Sequence, residues 1–195
     1  MICGSGFYTL VNLAPLAIVI IAVIAFVMYE REKNRNALKR LSCSLPGYIP
    51  GFSLYSSYKG EYKGLKFTVE LIPRGKNSPS YLNIYLFKDH FFKLRIYKEN
   101  TFTDLGKKIG LLREIKVGDV PFDNEFVLST DNADMAKSYL YNQQLKNNIR
   151  EFFSRGFTSV SINYRRILIS KPNYNLEYDL DPKNVAEIVN IMSAF

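Results

Sequence analysis

The fold is decided by an alternating stretch, LKFTVEL at residues 65–71. Apolar side chains occupy every second position and polar ones lie between them, a period of two that is typical of a β-strand with one buried face. The same period returns at residues 81–87, YLNIYLF, and at residues 92–96, FKLRI. Residues 74–79 form a loop, and residues 88–90 turn the chain back. We therefore predict three antiparallel strands that share an apolar face.

Three helices are predicted from their caps and their apolar stripes. One begins at Ala133, and a second covers residues 145–153. Asp181-Pro182 opens the third, because aspartate is a favoured N-cap and proline fits the first turn of a helix.

Two further strand signals complete the pattern. Residues 157–163 and 166–170 predict a hairpin, and residues 174–178 alternate as in a last strand. Strands in groups followed by helices predict an α+β domain. It would have an antiparallel sheet covered on one face by about three packing helices.

The N-terminal segment predicts a membrane anchor. Residues 1–29 contain no Lys, Arg, Asp, Glu or His, and residues 10–29 read LVNLAPLAIVIIAVIAFVMY. As a helix, this stretch would cover about 30 Å, the hydrocarbon thickness of a bilayer. A cleaved signal would have a basic start and a shorter apolar stretch. The alternative is a buried helix of a soluble core, but such helices rarely show so long an unbroken apolar run.

The chain is accordingly divided into four parts. Residues 1–9 are an N-terminal tail, residues 10–29 a transmembrane helix and residues 30–47 a juxtamembrane stalk. Residues 48–195 form one soluble α+β domain, which is an ordinary domain size.

Cations concentrate directly after the apolar run. By the positive-inside rule they place the domain on the cytoplasmic side of the inner (plasma) membrane, with the N-terminus outside. They can also contact anionic headgroups. These membrane-surface residues are Arg31, Lys33, Arg35, Lys39 and Arg40.

The formal net charge of +8 belongs entirely to residues 30–195. A basic protein can bind nucleic acid, and that remains a rival interpretation. The position of the charge beside the anchor favours a role in stopping transfer and in solubility.

One acidic segment, GDVPFDNEF at residues 118–126, could bind a hard cation. The carboxylates of Asp119, Asp123 and Glu125 are close enough in sequence, but their spacing does not match an EF-hand loop. The favoured alternative is that the two aspartates accept backbone N–H bonds in turns, while the two phenylalanines fill the core.

Most catalytic machinery is missing from the sequence. His90 is the only histidine, and in a turn it is expected to be solvated. There is no histidine pair for a metal, no choice of histidines for a Ser-His-Asp triad and no glycine-rich phosphate loop. We therefore predict a protein that is not an enzyme and has no cofactor or metal.

The outer face of the predicted sheet is the better candidate for function, since it interleaves aromatic and basic side chains. Such a face can dock a protein partner or stack bases. It can also simply pair across strands or be covered by another helix. The candidate partner-binding residues are Tyr81, Tyr85, Phe87, Phe91, Lys93, Arg95 and Tyr97.

Short motifs carry a resemblance to a known group. They are Gly60-x-Tyr62-x-Gly64 before a strand, Gly118-Asp119, and Phe122-Asp123-x-x-Phe126. With them the chain resembles uncharacterised bacterial membrane-anchored proteins that have one or two N-terminal spans and a cytoplasmic α+β domain. The resemblance covers residues 45–180 and implies that architecture, with no activity or site attached.

The leading functional hypothesis is a single-pass accessory or scaffold protein that binds another protein of a membrane complex through its cytoplasmic domain. Its partners would be the bilayer and that protein. The alternatives are a membrane-tethered binder of anionic lipid or nucleic acid, and a carboxylate-dependent enzyme.

Overall fold

The computed structural model describes residues 5–51, 53–98 and 113–195, without the side chains of residues 5–14 and 113. The described strands are β1 (Gly47–Tyr48), β2 (Ser56–Tyr62), β3 (Leu65–Ile72), β4 (Tyr81–Leu86), β5 (Leu94–Lys98), β6 (Arg113–Ile115), β7 (Phe126–Thr130), β8 (Ser159–Asn163) and β9 (Arg166–Pro172). They form one sheet in the order β1-β2-β3-β4-β9-β8-β5-β7-β6. Every neighbouring pair is antiparallel.

Helices accompany this sheet and confirm the α+β class. They are α1 (Ser5–Lys39), α2 (Val120–Glu125), α3 (Ala133–Leu140), α4 (Gln143–Ser154) and α5 (Pro182–Ser193), with a 3-10 turn at Arg40–Cys43. Helices α3, α4 and α5 are the three that the sequence predicts. As expected, Asp181 caps α5 by accepting the N–H of Asn184 at 3.2 Å.

The core is one continuous apolar layer on one face of the sheet. Six side chains lie in register across six neighbouring strands, and all are fully buried: Val69, Ile84, Ile169, Val160, Ile96 and Leu128. Each contributes about 1.5–3 kcal/mol by leaving water. Apolar side chains of α3, α4 and α5 belong to the same cluster, so the helices cover this face.

The prediction that β4 and β5 are neighbouring strands is wrong. These strands are not a hairpin, because β9 and β8 lie between them. The connection from β4 to β5 instead passes the tip of the β8–β9 hairpin, where the N–H of His90 donates to the carbonyl of Tyr164 at 2.9 Å. Alternation in a sequence fixes the buried face of a strand, but it does not choose the neighbour.

The predicted last strand at residues 174–178 is also wrong. In this segment, hydrogen bonds between side chains and nearby backbone N–H groups take the place of hydrogen bonds to a neighbouring strand. The N–H of Asn175 donates to Asp179 at 2.8 Å, and the side chain of Asn175 accepts the N–H of Glu177 at 2.8 Å. Asp179 is buried and pairs with Lys171 at 2.7 Å.

Helix α1 runs without a break from the apolar segment into the domain. Leu38, Leu41 and Leu45, which the sequence places in the stalk, are buried in the core. The described residues contain no helix that is long and apolar enough to cross a membrane. This finding does not support the predicted transmembrane helix at residues 10–29, of which residues 10–14 have no described side chains. Residues 1–4 of the predicted tail lie outside the described residues.

Candidate functional site

The second face of the sheet, called the outer face below, carries polar and aromatic side chains. Its residues alternate with the buried ones, so they point away from the covering helices. Most of them are half-buried or exposed. Its central row, in register across the sheet, is Tyr48, Lys59, Thr68, Tyr85, Leu168, Ser161 and Arg95.

The structure places the predicted partner-binding residues on this face in two separate groups. The first group, on or just after β4, is Tyr81, Tyr85 and Phe87. The second, on or just before β5, is Lys93, Arg95 and Tyr97. Strands β9 and β8 separate them by three strand spacings, about 14 Å. Phe91 lies in the connection between the groups and is 84% exposed.

Tyr85 in the first group is held by its neighbours. Its hydroxyl donates to the carboxylate of Glu70 at 2.9 Å, and the guanidinium of Arg166 lies 5.1 Å from its ring centre. Burial and the bond to Glu70 raise the pKa of Tyr85. Cross-strand pairing, one of the alternatives from the sequence, therefore accounts for Tyr85.

The second group is organised by Asp131, which the sequence did not single out for this role. Asp131 accepts the backbone N–H of Lys93 at 2.7 Å and the hydroxyl of Tyr164 at 2.8 Å. Burial opposes the charge of Asp131, but these bonds together hold its pKa below the usual range. The ammonium of Lys93 lies 5.0 Å from the ring centre of Tyr164. Tyr164 is 48% exposed.

Sequence reasoning missed both Tyr164 and Arg166, which belong to the β8–β9 hairpin. The only signal was the aromatic–basic run Tyr164-Arg165-Arg166 at a predicted hairpin turn. Nothing in the sequence indicates that this turn lies beside Lys93, since that contact depends on the insertion of β9 and β8.

A groove of about 540 Å³ opens on the outer face beside β1. Tyr48 and Phe87 contribute exposed aromatic rings, while Lys59, Lys66 and Thr68 supply polar groups. The groove was not predicted, because the two-residue strand β1 has no pattern of its own.

One glycine of the quoted motif has a packing reason beside this groove. Gly60 lies against the ring of Phe67 so closely that a β-carbon at residue 60 would overlap it. Gly64 of the same motif has a φ of 79° in the turn between β2 and β3, a conformation that favours glycine.

The two aspartates of the acidic segment accept backbone N–H bonds, as the favoured alternative predicts. Asp119 caps α2 by accepting the N–H of Phe122 at 3.2 Å, and it pairs with Lys146 at 2.6 Å, which lowers its pKa. The carboxylate of Asp123 accepts the N–H groups of the two residues before Asp119, at 2.9 Å each.

Glu125, the third carboxylate of that segment, accepts a bond from Arg150 at 3.0 Å. No group of three or more His, Cys, Asp or Glu side chains among the described residues is placed to hold a metal ion. The two phenylalanines of the segment, Phe122 and Phe126, are buried with ring centres 4.9 Å apart.

His90 is buried, contrary to the expectation of a solvated turn residue. It is only 8% exposed and packs edge-on against Tyr139, with ring centres 6.2 Å apart. Burial and the nearby ammonium of Lys88 lower the pKa of His90, while Asp89 opposes them. Its Nε2 has no hydrogen-bond partner among the described residues. These surroundings therefore disfavour the charged form of the imidazole.

The predicted membrane-surface cations are all exposed on or directly after α1. Lys39 lies 3.6 Å from Glu32, and Arg40 donates to the carbonyl of Leu176 at 2.6 Å. Arg40 thus fastens the loop after β9 to the end of α1.

Fold and site together define an α+β protein with a single large antiparallel sheet, helices on one face and an aromatic–basic outer face. No family model matches the chain, and no curated protein matches it. Among solved structures, the chain is similar to the mycobacterial trehalose monomycolate transport factor A, TtfA. The TM-score is 0.53 at 9% sequence identity, over 83% of this chain and 93% of that chain. At this identity the likeness shows the fold alone.

Proposed function

We propose that this chain is a single-pass membrane-anchored accessory protein whose α+β domain binds another protein of a membrane complex through the outer face. The observation that carries the proposal is that three exposed aromatic rings lie at one end of that face. Phe87, Phe91 and Tyr164 all lie where β4 ends, β5 begins and the β8–β9 hairpin turns.

The first step of the proposal is the anchor. The described apolar side chains of α1 are exposed all around the helix, which is unfavourable in water and favourable in a lipid environment. The cations after residue 29 then favour the cytoplasmic side of the inner membrane for the domain. The exposed apolar residues are Leu16, Ile18, Val19, Ile20, Ile21, Val23, Ile24, Phe26, Val27, Met28 and Tyr29.

The second step is the choice of a protein as partner. Aromatic and arginine side chains are enriched in the cores of protein interfaces. Phe91, at 84% exposed, is the kind of anchor that fills a pocket of a partner. Lys93 and Arg166, which lie on or next to the same face, suit a partner with acidic groups around that pocket.

Nucleic acid fits this face less well. Glu70 and Asp131 place carboxylates on or beside the same face, where they repel phosphates. Tyr85 is bonded to Glu70 rather than open for stacking.

The name of the structural neighbour, a transport factor, is also consistent with an accessory role. The engaged carboxylates of the acidic segment do not favour an enzyme.

Co-purification of the full-length protein in mild detergent tests the proposal. We expect a stoichiometric companion protein with the unmodified chain. The double variant Phe87→Ala, Phe91→Ala should lose it, because truncating central interface aromatics typically costs 2 kcal/mol or more. The variant Tyr141→Ala is the matched control, since Tyr141 is 89% exposed but belongs to the link between α3 and α4.

A monomer without a companion would contradict the proposal, and so would a companion that the double variant retains. Binding of the chain to polyanions with a steep salt dependence would instead favour the nucleic-acid alternative.

A further inference from the structure

The continuity of α1 fixes where the domain begins relative to the apolar segment. The side chains are exposed up to Tyr29, and Asn34 is already buried against the domain. Five residues of helix cover about 7.5 Å. Because no loop interrupts the helix between these two positions, the domain cannot swing away from the end of the apolar segment.

Contacts identify the part of the domain that lies at this level. The loop after β9 runs along α1, with Arg40 bonded to the carbonyl of Leu176 at 2.6 Å. At the start of that loop, Tyr174 is near enough to Glu30 for its carboxylate to add to burial in raising the pKa of Tyr174. The loop at the end of β9 therefore lies along the part of α1 between Glu30 and Arg40, directly after the apolar segment.

The β3–β4 hairpin lies at the same end of the sheet. Its loop is joined to the loop after β9, because the N–H of Asn173 donates to the carbonyl of Ser80 at 2.9 Å. The tip is closed by a bond from the N–H of Gly75 to the carbonyl of Ser78 at 3.0 Å. Since β3 runs toward this end and stops at Ile72, the tip extends beyond the sheet.

The hairpin tip has the chemistry of a phosphate site. An open cavity of about 500 Å³ is lined by Arg74, Lys76, Asn77, Ser78, Pro79 and Asn173. The lining offers a guanidinium, an ammonium, amides and a hydroxyl, and it contains no carboxylate. In the described part of the chain neither cation forms an ion pair or a hydrogen bond, so both are free to bind an anion.

We propose that this hairpin tip binds the phosphate groups of anionic lipid headgroups and so docks the domain on the membrane surface. The inference rests on the anchor of the proposed function. The exposed cations Arg31, Lys33 and Arg35 on α1 contribute to the same contact. A lipid is chosen as the occupant because the tip extends from the end of the sheet whose loop borders α1 directly after the apolar segment, and headgroups would lie on that side of the domain.

The test uses the full-length protein in nanodiscs with a fluorophore at residue 73, which is exposed and does not line the cavity. The chain carries Pro73→Cys in a background of Cys3→Ser and Cys43→Ser, and a headgroup-labelled lipid serves as quencher. We expect strong quenching in discs that contain 30 mol% phosphatidylglycerol and weak quenching in pure phosphatidylcholine. The double variant Arg74→Gln, Lys76→Gln should lower the ratio of docked to undocked protein about 30-fold, because each cation near an anionic surface contributes roughly a factor of five.

The matched control is Lys59→Gln, Lys63→Gln, which removes two exposed cations, one on β2 and one in the turn between β2 and β3, and should leave quenching unchanged. Equal quenching in both lipids, or no effect of the hairpin variant, would overturn the inference. A change in the emission of the fluorophore that inorganic phosphate induces in phosphatidylcholine discs, without quenching, would also overturn it, because the site would then take free phosphate. Flotation with vesicles separates the two proposals. A chain that floats but does not dock refutes only the headgroup site, and a chain that does not float refutes the anchor as well.

Discussion

The substitution Leu38→Ala tests whether α1 is part of the domain or only a tether to it. Leu38 is fully buried in the core together with Leu41 and Leu45. Replacement by alanine removes three carbon atoms. Less apolar surface then leaves water on folding, and a cavity remains in the core. Such changes cost 2–5 kcal/mol in well-packed cores, and we expect about 3 kcal/mol here. That is a large share of the 5–15 kcal/mol by which domains are stable.

Leu16→Ala in the same helix is the matched control. Leu16 is 57% exposed on the described apolar surface of α1. In a detergent micelle this side chain keeps its surroundings when the domain unfolds, so its truncation should change the free energy of unfolding by less than about 0.5 kcal/mol. Alanine also forms helices at least as well as leucine does.

The assay is urea unfolding of the full-length protein in mild detergent, followed by far-UV circular dichroism and tyrosine fluorescence, since the chain has no tryptophan. With a slope of about 2 kcal/mol per molar urea, a loss of 3 kcal/mol lowers the midpoint by about 1.5 M. Equal midpoints for Leu38→Ala and Leu16→Ala would refute the integration of α1 into the core. The rigid geometry on which the headgroup site depends would then fail too.

Two further predictions concern buried polar groups. Asp123→Asn should lower the free energy of unfolding by about 2–4 kcal/mol, because a charged acceptor of two backbone N–H bonds becomes an amide whose NH₂ faces one of those donors. Urea midpoints measure this, and an unchanged midpoint would contradict it. His90 has a lowered pKa in the fold, so the unfolded chain binds a proton at a higher pH than the folded chain does. Stability should be full above about pH 7 and fall as the pH drops below the ordinary histidine pKa of about 6.5, and His90→Gln should flatten this dependence over pH 5–7.

The apolar faces of β3, β4 and β5 could be predicted from the sequence, but the order of the strands could not. Val69 and Ile84 stand in alternating stretches that reveal their burial, and the structure confirms it. The pairing of Ile84 with Ile169 joins residues far apart in the chain. By its pattern alone, any strand with an apolar face could have paired with β4, so the periodicity does not determine which strand is its neighbour.

The candidate site shows the same limit. Phe87 and Lys93 could be assigned to one face from their positions in alternating stretches. Their separation by β9 and β8, and the arrival of Tyr164 beside Lys93, depend on the inserted hairpin. His90 shows the same limit for burial. Its local sequence is typical of an exposed turn, but Tyr139 from helix α3, far along the chain, packs against it.

The strand directions place the two proposed contacts at opposite ends of the domain. Strand β4 runs from Tyr81, beside the loop that carries Arg74 and Lys76, to Leu86, next to Phe87. Six residue steps of about 3.3 Å separate Tyr81 from Phe87 by about 20 Å. If the hairpin tip rests on headgroups and β4 runs along the membrane normal, the aromatic end of the outer face stands about that far from them. A partner that consists only of membrane-embedded helices could not reach it. The partner must therefore carry a segment that extends some 20 Å into the aqueous phase on the side of the domain, and this requirement narrows the choice of companion proteins to be tested.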